Sequence, residues 1–235
     1  MQWFIFILIL PHLKPPSLEY MWPVLDTAFD AARVASAMLI LLLYLLRRKV
    51  PSAPVWILAA LQGWLFLATY LNGRELWGIV INTVSILTVA CAIDLFSTKA
   101  AFLIRGIMGN MQWLIYGNLL SVLLTYPQGL YISDYYQQHC YFLGYHNGFF
   151  QYVLPAVLTA ALYSHIEKKK ARSICLAAAG YLCVLITWSA TSVAALMLVT
   201  VLMLLPSRKL RRWITFTSIF GTTMAFNLAI SVFRI

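Results

Sequence analysis

Charge is what this sequence has least of. Only 10% of its 235 residues are Asp, Glu, Lys or Arg, and seven are acidic, against about 25% charged in soluble domains. With 62% hydrophobic residues and a mean hydropathy of +0.82, the chain cannot hide its apolar surface in water, which excludes a soluble globular protein. Its four cysteines form no pattern. Cys91, Cys175 and Cys183 fall inside apolar runs, where Cys behaves as a small apolar residue, and Cys140 stands alone in a polar loop. Neither a disulfide framework nor a zinc spacing is implied. Internal repeats, low-complexity tracts and soluble domains are missing too. No acid inside an apolar run stands out as a proton or ion carrier, which weakens a pump or antiporter reading.

Apolar segments take the place of all these. Residues 1–10 are too short to cross a bilayer, which takes about 20 helical residues. Spans are expected at 24–46, 55–71, 76–95, 102–125 and 149–166. The run 173–206 is too long for one crossing and reads as two short helices broken near Ser189-Ala190-Thr191, and a last span covers 214–233. The expected fold is an all-α, polytopic transmembrane helical bundle of about eight or nine membrane segments, forming a single integral membrane domain over residues 1–235.

The net charge of +10 does not point to nucleic acid, because of where the charges fall. Arg47, Arg48 and Lys49, then Lys99 and Arg105, then Lys168, Lys169, Lys170 and Arg172, and finally Arg208, Lys209, Arg211 and Arg212 occupy alternate loops. Thirteen of seventeen basic residues therefore lie on one side. Basic loops face the cytoplasm, so this pattern predicts a cytoplasmic N-terminus, with clusters able to touch anionic lipid.

Polar groups within or beside the spans are few enough to name. Asp30 and Arg33 stand three apart and can pair along one helix face, with Asp26 suited to the helix start. Asp94 and Lys99 are expected to pair at the cytoplasmic end. Asn110, Gly117, Asn118 and Ser121 share one face of the span 102–125, where interhelical hydrogen bonding explains them adequately. The longest polar loop, 126–148, is rich in Tyr and carries two His, one Asp and three Gln. Such aromatic and planar polar groups can hold sugars, or can form an interfacial belt. Beyond it, Gln151, Pro155, Thr159 and Tyr163 recur at steps of four. In ITWSATSVAALM, Ser189, Thr191 and Ser192 can cap the helix that follows the break. The rim YFLGYHNG and the break WSATS should open toward the same side of the bundle and together form an outward-facing polar cavity.

At these residues the sequence resembles the O-antigen ligase and polymerase superfamily, with the closest likeness to capsular or exopolysaccharide repeat-unit polymerases. The likeness rests on FLGYHNGFFQYVLPA, a basic turn, ITWSATSVAALM, and the opening FILILPHLKPPSLEYMWPVLDTAFDAARVAS, and it covers nearly all of the chain. It implies an integral membrane glycosyltransferase that joins undecaprenyl-diphosphate-linked oligosaccharide repeat units at the outer face of the bacterial cytoplasmic membrane, with no cofactor and no metal. It further implies a longer protein with a large arginine-bearing outer loop, so the chain reads as an N-terminal portion in which catalysis is expected to be absent or incomplete. No catalytic residue is assigned. The resemblance moves Gly144 and Asn147 from helix cap toward substrate binding, together with Gln151, Ser189 and Thr191, although Ser189 and Thr191 can equally serve to hold the break. Alternatives are an O-antigen-type ligase of the same fold, a non-catalytic subunit working with other polysaccharide-assembly membrane proteins, and a transporter of lipid-linked oligosaccharide. A transporter would be expected to show paired halves with matching helix breaks, which the sequence lacks.

Overall fold

The computed structural model describes residues 1–133 and 137–204. The expected span 214–233, the last basic group at 208–212 and loop residues 134–136 lie outside the described residues. The described residues are 81% helical. A short helix α1 (Gln2–Ile9) leads through a 3-10 turn to a five-residue helix α2 (Ser17–Met21) and then to α3 (Pro23–Arg47), α4 (Ala53–Leu71), α5 (Trp77–Phe96) and α6 (Ala100–Thr125). A loop carrying a small sheet precedes α7 (Phe150–Glu167), α8 (Lys170–Ile186) and α9 (Ala190–Leu204).

Four helical stretches are long and apolar enough to cross a membrane: Pro23–Arg47, Ala53–Leu71, Trp77–Thr125 and His146–Glu167. The third comprises α5 and α6, joined by a 3-10 turn at Ser97–Lys99. By this measure the described residues account for fewer segments than the eight or nine expected, because α8 and α9 are short (17 and 15 residues) and α1 has only eight. The chain is a helical membrane protein.

Helices α6, α7 and α8 pack around one apolar core that includes Met108, Leu114, Val153, Tyr163 and Leu176, all essentially inaccessible. Close approach there depends on Gly180, since a Cβ would sit 2.8 Å from Val153 Cγ1. A second core joins α1, α3 and α5 through Ile5, Ile40, Tyr44 and Phe96. Helix α1 lies in the fork between α5 and α6. Phe4 meets Phe96 edge-on at 6.2 Å, and a Cβ on Gly106 would fall 2.8 Å from Ile5 Cγ2.

The basic groups at residues 47–49, 99–105 and 168–172 gather at one end of the bundle. Lys49 pairs with Asp94 (3.1 Å), Arg105 with Glu167 (2.7 Å), and Arg47 reaches the Leu95 carbonyl. Lys99 contacts Met1 Sδ rather than the expected Asp94. Asp94 instead accepts the Tyr44 hydroxyl at 2.7 Å, because the end of α3 packs beside α5 and brings Lys49 and Tyr44 closer than the local Lys99.

Candidate functional site

At the opposite end of the bundle, the polar loop folds into a three-stranded antiparallel sheet: β1 (Tyr131–Ile132), β2 (His139–Tyr141) and β3 (Gly144–Tyr145). Tyr141 pairs with Gly144, which leaves Phe142 and Leu143 at the hairpin tip. Leu143 is buried, and backbone N–H groups taken from water need partners. Helix α6 supplies them. Phe142 N–H donates to Ser121 Oγ (3.1 Å), and Leu143 N–H donates to Asn118 Oδ1 (3.0 Å). The polar face of α6 thus holds loop backbone. Asn110 does reach another helix, donating to the Phe6 carbonyl at 3.3 Å.

Gly144 closes the hairpin turn at φ +88, a conformation that favours glycine because a Cβ is strained there. The chain then passes through a 3-10 turn, His146–Gly148, into α7. This turn meets the break between α8 and α9. Ser189 Oγ lies 3.2 Å from Asn147 Oδ1 and 2.8 Å from Ser192 Oγ, and it accepts the Ser192 N–H at 3.3 Å as an N-cap. Its single proton serves one of the first two partners at a time. The Ser192 hydroxyl also reaches the His146 carbonyl at 3.4 Å, and the Asn147 amide donates to the Tyr145 hydroxyl at 3.2 Å. Ser189 and Ser192 are completely buried. The two polar segments therefore converge, but as a closed clasp.

The open space lies on the other side of Gly144. A cavity of about 240 Å³ is lined by Pro16, Glu19 and Tyr20 from the segment before α3, by Tyr131, Ser133, Cys140, Leu143, Gly144 and Tyr145 from the sheet, and by Gly148, Gln151 and Tyr152 at the start of α7. Tyr20 and Tyr131 stack at 4.5 Å with planes 20° apart. Burial raises the Tyr131 and Cys140 pKa values, so both groups keep their protons at neutral pH. Among the described residues the lining holds one carboxylate and no Lys, Arg or His. Such a surface suits a neutral polar ligand, with ring faces to stack on and an amide, a carboxylate and hydroxyls to hydrogen-bond. It does not suit a diphosphate.

The segment that brings Glu19 and Tyr20 to this cavity is tied down by charge. Lys14 bridges Asp26 (2.7 Å) and Asp30 (3.1 Å), and Arg33 pairs with Asp30 at 3.3 Å as its spacing predicted. Ser17 N–H completes the attachment by donating to the Phe142 carbonyl at 3.4 Å.

Of the residues expected to bind substrate, Gly144 and Gln151 line the cavity, while Asn147 and Ser189 form the clasp beside it. Thr191 joins neither. It is exposed on α9 and has no side-chain hydrogen bond among the described residues, and Ser192 takes the inward place. The expected stripe on α7 also diverges: Gln151 and Pro155 are exposed, whereas Thr159 and Tyr163 are buried. Each step of four overshoots a full turn by about 40°, so three steps carry the stripe from the rim into the core. Sequence reasoning missed Glu19 and Tyr20, which are distant in sequence from the loop, and Tyr131 was visible only as one of many loop tyrosines. No family model matches the chain, and no curated protein or solved structure is similar to it.

Proposed function

We propose that this protein handles undecaprenyl-diphosphate-linked oligosaccharide at the outer face of the bacterial cytoplasmic membrane, as a polysaccharide polymerase that joins repeat units. The observation that supports this is the cavity beside Gly144, a tyrosine-lined and largely uncharged recess at the end of the bundle opposite the basic groups. In this reading Gln151, Tyr131, Tyr20 and Glu19 hold sugar, and Gly144 lets the hairpin backbone pass the ligand closely. Asn147 and Ser189 position that hairpin without touching the ligand. The diphosphate is met outside the cavity, since nothing among the described residues of its lining neutralises a dianion. None of these residues is given a bond-making role. The basic end faces the cytoplasm, which also places Met1 there.

The test is reconstitution of the full chain in liposomes with an undecaprenyl-diphosphate-linked repeat unit. Saturable binding of the oligosaccharide is expected, and Gln151→Ala should weaken the affinity about two- to tenfold, the worth of one hydrogen bond. Movement of the oligosaccharide across the bilayer without new linkages would instead make the protein a transporter.

A further inference from the structure

At the basic end of the bundle, α3 and α4 both pack against α5 but scarcely touch each other. The wedge between them is a slot of about 560 Å³. Its walls are apolar, with Leu41 and Leu45 from α3, Trp56 from α4 and Leu87 from α5, and Arg48 and Lys49 also line it. An apolar groove left open among membrane helices is filled by something apolar, because the alternative is unpacked surface. The cations narrow the choice. Lys49 is held by Asp94, and Arg47 turns away onto the Phe96 ring at 5.5 Å and the Leu95 carbonyl. Arg48 is left exposed on the left-handed residue that ends α3 (φ 47), with no side-chain partner among the described residues. A guanidinium in that position complements a phosphate held at headgroup level.

We propose that this slot is a binding site for one anionic phospholipid, with an acyl chain between α3 and α4 and its phosphate on Arg48, assisted by Lys49. The site is separate from the sugar cavity and stands whether or not the polymerase reading holds. A polyprenyl carrier is a poorer occupant, because the sugar cavity lies at the other end of the bundle.

The experiment is native mass spectrometry of the full chain, purified in mild detergent and titrated with phosphatidylglycerol or phosphatidylcholine. The wild type should retain one phosphatidylglycerol in preference to phosphatidylcholine. Arg48→Gln should weaken phosphatidylglycerol about fivefold, equivalent to about 1 kcal/mol for one cation at an anionic surface. Ala37→Phe, which fills the slot, should reduce both lipids, and Arg74→Gln at the opposite end should change neither. Because Arg48 is exposed and has no side-chain partner among the described residues, a loss on Arg48→Gln without a change in melting temperature reports the site itself. Equal retention of both lipids, an unchanged affinity in Arg48→Gln, or a slot occupied by a second copy of the chain would overturn the proposal. Preferential capture of polyprenyl phosphate over phosphatidylglycerol would overturn it as well.

Discussion

Asn147 and Ser189 are 42 positions apart, yet each completes the other. The Ser189 hydroxyl caps α9 and faces the Asn147 amide oxygen, while the amide nitrogen is given to Tyr145. Ser189→Ala removes the cap and leaves Asn147 Oδ1 without this partner, so it should destabilise the protein by about 1–2 kcal/mol. Thermal melting in detergent is the check. Asn147→Ala should cost about 1 kcal/mol, and the double variant should lose less than the two changes added, because they remove one shared contact. Thr191→Ala, exposed and unbonded, should stay within about 0.5 kcal/mol of wild type. A penalty at Thr191 equal to that at Ser189 would sink the clasp. The roles of these residues were half legible in the sequence. Ser189 and Thr191 sit in the same short polar run with the same capping chemistry, and only the phase of α9 turns Ser189 and Ser192 inward and Thr191 out.

Among elements, the unit that shapes the cavity is the β2–β3 hairpin, and α6 holds it. Two side chains one helical turn apart, Asn118 and Ser121, accept the two N–H groups of the hairpin tip. Asn118→Leu keeps the branching and the number of side-chain heavy atoms but leaves the buried Leu143 N–H without its acceptor, at a cost of about 1–3 kcal/mol. Hydrogen exchange should show the consequence locally, with faster exchange at residues 141–145 and little change in α8. Uniform loss of protection through the bundle would mean that Asn118 supports the helices rather than the hairpin. The helices themselves were legible from apolar runs, because each must satisfy its own backbone in lipid. The hairpin was not. Its strands are two or three residues long, too short for an alternating pattern to emerge.

For the molecule as a whole, topology is the testable statement. Basic groups from the ends of α3, α5 and α7 and the starts of α6 and α8 lie at one end, and the cavity beside Gly144 lies at the other. A membrane-impermeant maleimide applied from one side should label Val50→Cys and Lys169→Cys together, and Asn72→Cys and Gln128→Cys only from the other side. Mixed labelling within either pair would break the alternation on which the outer-face assignment depends.

The sequence by itself determined that this is a helical membrane protein. It also set the placement of most of its long helices, the break after α8 and the shared end of the basic loops. These follow from hydropathy and charge summed over local windows, and neither needs a partner. Tertiary structure alone decided which polar residues of different elements meet. It put Lys49 rather than Lys99 on Asp94, turned the polar face of α6 toward a hairpin, closed Asn147 onto Ser189, and opened the cavity against Glu19 and Tyr20. Hydrogen bonds and ion pairs act over about 3 Å, and contacts of that reach depend on helix phase and packing rather than on distance along the chain.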